Sequence, residues 1–370
     1  MRGPALRPVV IAAGGTGGHF FPAEALASAL IARGCRVALM TDARSGALKS
    51  DVFAGGEVFV LSGAGIAGRG AVRAGKAGLA LAAGAAQARS MLVRLRPGVV
   101  VGFGGYPSVA PVLAARMLRD RPAVILHEQN AVLGRANRLL CRWSTRLALS
   151  FGETERVPAR MATILAGNPV RPSIVALADA PYSAPTTEIR LLVVGGSLGA
   201  RVFSDVVPAA LAALPSDLRA RLRVTQQCRT EDLERVRAAY AASDVTAELS
   251  SFFPNVAERL GAAHLVIGRA GASTVAELAA VGRPAVLVPL PGAIDDHQSA
   301  NARALSAVGG AWVMAQPGFT PGALGARLSE LFARQEMLAR SADASRSVAR
   351  PNAAETLADL ALSLMPQEVR

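Results

Sequence analysis

The sequence predicts an α/β protein built from two doubly wound parallel sheets. Three observations carry this. Short apolar runs that end in glycines and lead straight into helical stretches recur in both halves, at residues 9–13, 99–101, 189–194 and 265–267. Such strand–turn–helix units are the repeat from which parallel sheets are wound. The chain has 370 residues, more than one hydrophobic core normally organises, so two domains are expected. Hydrophobic residues make up 51% and aromatic residues 4%, a balance that fits packed α/β layers and excludes a disordered or fibrous chain.

The elements follow in order. Residues 9–13 form a buried strand, GGTGGH at 14–19 a glycine loop, and 22–33 a helix, with the next strand at 37–41. Glycine permits positive φ and close approach of backbone to a ligand. The loop lacks the spacing and downstream acid of a nicotinamide-binding turn. Residues 55–84 are rich in Gly and Ala. Arg69, Arg73 and Lys76 sit there at roughly helical spacing, and Arg89, Arg94 and Arg96 follow. Such a basic stretch is a solvated helix face or a surface that lies on a membrane. A strand at 99–101 ends in GFGGYPS (102–108) before a helix at 108–118, and a strand at 123–126 ends in HEQN (127–130). Polar residues just past strand ends are where open α/β sheets place ligand groups. The chain breaks at GNPVR (167–171) and the pattern restarts: strand 189–194, loop GGSLG (195–199), helix 202–214, then strands at 223–226, 247–249, 265–267 and 285–288. The expected domains are 1–167, 168–340, and a terminal helical segment, 341–370, returning to the first.

Charge is divided unevenly. Residues 1–165 hold 21 Lys and Arg against 8 Asp and Glu, whereas the remainder holds 19 of each. The whole excess of +13 therefore lies in the first half, which points to an anionic partner such as a membrane surface or nucleic acid. Few aromatics and no nucleic-acid reader motif count against nucleic acid. No apolar run approaches the ~18 residues that span a bilayer, and the N-terminus does not read as a signal peptide. Cys35, Cys141 and Cys228 are widely separated, with neither disulfide nor zinc spacing, as in a reducing cytosol.

The chemistry gathers at the loops. In RAGASTVAE (269–277) a strand ends, the chain turns on Gly268 and Gly271, and a helix opens with Ser273 as the expected N-cap. Unsatisfied N–H groups and the helix dipole there suit an anion. Glu277, one turn in, would repel a phosphate and should instead face a sugar diol, or else merely stabilise the helix dipole. With the loop at 195–199 this makes two phosphate-friendly termini, for which a nucleotide diphosphate is the economical ligand. No Asp-x-Asp and no clustered His and carboxylate set occurs, so no metal or other cofactor is expected, although Asp295-Asp296 is an adjacent acidic pair. His19 is either a general base or a residue that orients its loop or contacts phosphate; Glu128 is the rival base. His127 and His264 read as structural, and Phe20 and Phe21 as core, the alternative being part of an exposed apolar patch.

These motifs, in this order over residues 8–350, resemble the MurG family, the peptidoglycan N-acetylglucosaminyltransferases of glycosyltransferase family 28. The resemblance implies the GT-B fold, two Rossmann-like domains facing across a cleft. It implies inverting transfer of N-acetylglucosamine from UDP-N-acetylglucosamine to the muramoyl 4-hydroxyl of undecaprenyl-diphospho-muramoyl-pentapeptide (lipid I), giving lipid II, at the cytoplasmic face of the bacterial inner membrane. Cell-wall synthesis proteins are the implied partners. By position, Thr16, Gly17, Gly18, Asn130, Arg171, Ser197, the backbone at Phe253, Ala272, Ser273, Thr274, Glu277 and Gln298 match the donor side. Among these, Glu277 matches the ribose ligand and Gln298 a reader of the donor sugar. His19, Tyr106, Glu128 and Asn137 match the acceptor side. Leu198 departs from the Gln common in the family, which removes a polar contact beside the diphosphate. A GT-B enzyme with another lipid or natural-product acceptor is the alternative, and a nucleotide-sensing or nucleic-acid-binding protein is a third reading.

Overall fold

The structure is a computed structural model that describes residues 7–14, 17–43, 50–61, 71–196 and 199–366, with backbone alone for 71–77. It contains two compact units. One comprises Met1–Arg171 and Pro351–Arg370, the other Pro172–Arg350. The chain thus divides at Arg171/Pro172, and its last helix, Ala353–Ser363, belongs to the first unit.

The first unit is a seven-stranded parallel sheet. Its strands are β1 (Val9–Ala12), β2 (Val37–Asp42), β3 (Glu57–Leu61), β4 (Val99–Gly102), β5 (Ala123–Glu128), β6 (Arg146–Leu149) and β7 (Thr163–Leu165), in the order β3-β2-β1-β4-β5-β6-β7. Helices cover both faces, so the central strands are apolar at every position rather than alternating. All four residues of β1 and of β4 are buried, with Val10 facing Val100 across the pair. Leu26 and Leu30 of helix Gly17–Ala32 share one core with Phe103, Leu357 and Ala361. Arg33 also binds Asp359 at 2.7 Å, so the terminal helix closes that face. Phe20 is buried in this core, but Phe21 is 37% exposed, which corrects the expectation that both are core.

The second unit is a six-stranded parallel sheet of β8 (Ile189–Val194), β9 (Leu222–Gln227), β10 (Thr246–Ser250), β11 (Leu265–Gly268), β12 (Ala285–Leu287) and β13 (Ala311–Val313), ordered β10-β9-β8-β11-β12-β13. Leu191, Val193, Phe203, Val207, Val224 and Leu328 build its core. Both sheets therefore wind outward from their first strand, and both reverse direction once, between β1 and β4 and between β8 and β11. At such a switch point the helices that follow the two neighbouring strands leave to opposite faces, and a crevice opens at the strand ends.

Candidate active site

The glycine motifs flank these two switch points. In the first unit, β1 feeds the loop that opens helix Gly17–Ala32, and β4 feeds Phe103-Gly104 and helix Gly105–Arg116. Each glycine has a local reason. A Cβ on Gly17 would lie 2.8 Å from the Phe21 ring. Gly104 and Gly105 have φ of +77° and +66°, where a side chain is strained. Beside them β5 ends in the HEQN motif, which alternates as a strand must. His127 and Gln129 join one network, Glu128 and Asn130 another.

In the first network His127 is fully buried. Its Nε2 lies 2.9 Å from the Gly167 carbonyl, and its Nδ1 lies 3.1 Å from Gln129 Nε2. Gln129 Nε2 also donates to the Phe103 carbonyl at 2.9 Å. Half-buried His19, on the first turn of its helix, places Nδ1 2.8 Å from that carbonyl and 3.1 Å from Gln129 Oε1. Its other edge, Nε2, faces the second glycine loop: a Cβ on Gly105 would lie 3.7 Å away.

Burial pulls His127 from its usual 6.5 down to about 4, against a partial upward effect of the Gly167 carbonyl, and His19 nearby lowers it slightly further. The folded value lies below the unfolded one. As pH falls through 6.5 the unfolded chain therefore takes up a proton that the folded chain refuses. The associated stability is intact above about pH 6.5 and is lost progressively toward pH 4. Between pH 7 and pH 5 the loss is on the order of 2 kcal/mol. Urea denaturation at the two pH values should show that extra loss in the unmodified protein and not in His127→Gln.

In the second network Glu128 is 2% exposed and receives four hydrogen bonds. Oε1 accepts from Asn130 N at 3.0 Å and Asn130 Nδ2 at 3.1 Å, and Oε2 from Gly134 N and Asn137 Nδ2, both at 2.9 Å. Both oxygens are thus committed to holding the 130–137 segment. Asn137 also donates to the His127 carbonyl at 3.1 Å, while its buried Oδ1 has no partner among the described residues. Tyr106, on the helix after the second glycine loop, is 50% exposed. Gly18 is exposed at the start of the first helix. Arg171, the last residue of the unit before the chain crosses, has its guanidinium carbon 5.6 Å from the centre of the Phe21 ring. Thr16 and, in the other unit, Ser197 and Leu198 lie outside the described residues.

In the second unit, Gly195 precedes the loop after β8. A Cβ there would come within 2.3 Å of Ala200 N, so no side chain fits. The loop is tied to β9 by a bond from Gly195 N to Gln227 Oε1 at 3.2 Å. The stem of Arg229, which the sequence did not single out, packs against Gly199; a Cβ on that glycine would lie 3.1 Å from its Cγ. After β11, helix Ala272–Val281 begins one residue before Ser273. Gly271, in extended conformation, is its N-cap, and the Gly271 carbonyl accepts the first helical bond from Val275 N at 3.0 Å. Ser273 is therefore not the cap, because the glycine backbone already supplies the turn; its buried hydroxyl has no partner among the described residues. The N–H groups of Ala272, Ser273 and Thr274 precede the first intrahelical donor, Val275 N, and point out of the helix end. Half-buried Glu277 is the sixth residue of that helix.

Neighbouring groups hold this turn. Asn301, fully buried, donates to the Ala270 carbonyl at 3.1 Å, and Arg269 donates to the Val288 and Pro289 carbonyls and to Gln316. Gln298, on helix His297–Ala307, accepts from Leu290 N at 3.0 Å. Asp295 and Asp296 just ahead of it both have left-handed backbone, and Asp296 accepts from the Ser299 hydroxyl at 2.7 Å. Phe253, on the loop after β10, is buried beneath the Arg259 guanidinium, 4.2 Å from the ring centre. The structure thus gathers His19, Tyr106, Glu128, Asn130 and Asn137 at one sheet edge, and Ala272–Thr274, Glu277 and Gln298 at the strand ends of the other sheet.

Comparison with known proteins agrees with this architecture. Residues 9–149 match the glycosyltransferase family 28 N-terminal domain and residues 190–357 the glycosyltransferase family 28 C-terminal domain. The chain is 60% identical over 362 residues to the UDP-N-acetylglucosamine--N-acetylmuramyl-(pentapeptide) pyrophosphoryl-undecaprenol N-acetylglucosamine transferase of Granulibacter bethesdensis, covering 97% of this chain and 94% of that one. It is 52% identical over 370 residues to the protein of the same name from Acidiphilium cryptum, covering 100% of both. The crystal structure of Acinetobacter baumannii MurG superposes with a TM-score of 0.77 at 32% identity, over 96% of this chain and 99% of that one. A glycotransferase of kitacinnamycin, at 18% identity and TM-score 0.72 over 98% of this chain and 100% of that one, shares the fold. The chain is a member of glycosyltransferase family 28, with the GT-B fold of two Rossmann-like domains.

Proposed function

We propose that this protein transfers N-acetylglucosamine from UDP-N-acetylglucosamine to the muramoyl 4-hydroxyl of lipid I, with inversion at the anomeric carbon, to form lipid II. The observation that carries the proposal is full-length identity of 52–60% to relatives named for that transfer. Loss of activity when lipid I analogues are exchanged for other glycolipids or natural-product acceptors is the expected result. Equal turnover of those acceptors would favour the alternative GT-B reading.

In this reaction the acceptor oxygen bonds to the anomeric carbon as the bond to the diphosphate oxygen breaks. UDP departs with that electron pair, and the hydroxyl proton passes to a base. His19 takes that proton. It stands half-exposed with Nε2 turned away from its protein partners, whereas both Glu128 oxygens are buried and engaged. Glu128 and Asn137 position the acceptor-side loop, and Tyr106 contacts the acceptor. Backbone N–H groups at Ala272, Ser273 and Thr274, with the glycine loops at Thr16–Gly18 and Ser197, hold the donor diphosphate. The helix dipole favours the charge that develops on the leaving group, and no metal is assigned a part. Glu277 binds the ribose diol, the Phe253 backbone reads uracil, and Asn130, Arg171 and Gln298 bind the donor.

The same reading places the protein peripherally on the cytoplasmic face of the inner membrane. No described helix is long and apolar enough to cross a membrane. The basic excess of residues 1–165 and Leu79, 75% exposed on helix Ala71–Leu95, support an electrostatic and shallow apolar attachment. Binding to vesicles containing anionic lipid should fall steeply as salt is raised, since exposed charges are screened beyond ~8–10 Å. Equal binding to neutral vesicles at every salt concentration would contradict it.

A further inference from the structure

We infer that Gln129 and His127 are positioning residues that determine which ring nitrogen of His19 carries a proton, leaving Nε2 as the free base. The inference rests on the reading of His19 as the proton acceptor and extends it to residues that do not touch substrate.

Each link in the chain has only one satisfactory arrangement. The Gly167 carbonyl, 2.9 Å from His127 Nε2, can only accept, so Nε2 of His127 carries the proton. Burial keeps this imidazole neutral, with a single N–H, so its Nδ1 is an acceptor. The Gln129 atom 3.1 Å from that Nδ1 must then be the amide nitrogen, whose second proton reaches the Phe103 carbonyl at 2.9 Å. That fixes the amide orientation and aims Oε1 at His19 Nδ1, 3.1 Å away. His19 Nδ1 meets two acceptors, Gln129 Oε1 and the Phe103 carbonyl at 2.8 Å, and so holds the proton between them. A flipped amide would set Oε1 against the Phe103 carbonyl and the His127 lone pair, opposing acceptors at both contacts.

The consequence is chemical. A neutral imidazole protonated on Nδ1 has its lone pair on Nε2, the edge turned toward the second glycine loop. When Nε2 takes the acceptor hydroxyl proton, the imidazolium keeps its Nδ1–H bonds, and both acceptors stabilise the new charge. Gly167 opens the segment that ends in Arg171, so the orientation of the base is anchored to the stretch of chain leading out of the unit.

The test uses the full-length protein. Only four histidines are present, so nitrogen-15 labelling of histidine resolves the ring tautomers by NMR. His19 is expected as the Nδ1–H form and His127 as the Nε2–H form. Because the Phe103 carbonyl remains, Gln129→Leu should lower kcat by about tenfold, a fraction of the roughly 10²–10⁴ that a general base supplies. The KM for UDP-N-acetylglucosamine should hold. In Gln129→Leu the share of His19 protonated on Nε2 should rise, which a space-filling role would not change. His19 protonated on Nε2 in the unmodified protein, or a folded leucine variant with unchanged kcat, would overturn the inference. The assigned tautomers together with a fully active His19→Asn would overturn the base role alone.

Discussion

His19→Asn should lower kcat by about 10²–10⁴-fold while leaving UDP affinity near that of the unmodified protein. Asparagine is chosen because its amide nitrogen can take the place of Nδ1 and still donate to the Phe103 carbonyl, 2.8 Å away in the imidazole. Whatever His19 does for the loop is then largely preserved, and only the Nε2 lone pair is lost. A loop-orienting role predicts substantial residual turnover. A phosphate-contacting role predicts a raised KM with kcat retained. A base role predicts that kcat and kcat/KM fall together, the signature of an interaction made in the transition state. Steady-state kinetics with both substrates varied separates the three.

The second large effect is on donor binding. Glu277→Ala should weaken UDP and UDP-N-acetylglucosamine by about 10–150-fold, the equivalent of roughly 1.5–3 kcal/mol for a hydrogen bond to a charged group. The carboxylate sits on the sixth residue of its helix, beyond the first turn where the dipole acts strongly, so stability should change little. The contact is to the ribose diol, so the penalty should shrink for 2′-deoxyuridine diphosphate. Calorimetric titration of both nucleotides into both proteins measures this. An equal penalty for the two nucleotides would remove the ribose assignment. Loss confined to the acceptor side would move Glu277 out of the donor site.

Much of this was legible in the sequence because parallel strands covered on both faces are continuous apolar runs. Nine of the thirteen strands among the described residues are legible in this way, including every strand that flanks a switch point. The four passed over were β3, β6, β7 and β13. β3 and β7 are exposed along most of their length, β6 opens on the charged Arg146, and β13 has one buried position in three. Phe21 was misplaced because an aromatic beside Phe20 looks like core. Its ring instead covers Gly17 and lies near the Arg171 guanidinium, a partner 150 positions away in sequence. Ser273 looked like an N-cap because the residue type suits it, yet Gly271 had already supplied the turn. The roles of Gln129 and Gly167 were beyond the sequence. Their long-range bonds join residues 26 to 110 positions apart, and two of the three use backbone carbonyls. One signal was available: strand alternation through HEQN would have paired His127 with Gln129 and Glu128 with Asn130.

The most direct measurement is transfer of radiolabelled N-acetylglucosamine from its UDP donor to a lipid I analogue by the purified, folded protein, with the product linkage determined. The account predicts labelled disaccharide-linked lipid with a β-linkage at the muramoyl 4-oxygen, and near-background turnover with His19→Asn. Well-folded protein that binds UDP yet transfers no label to lipid I, or makes an α-linked product, would contradict it.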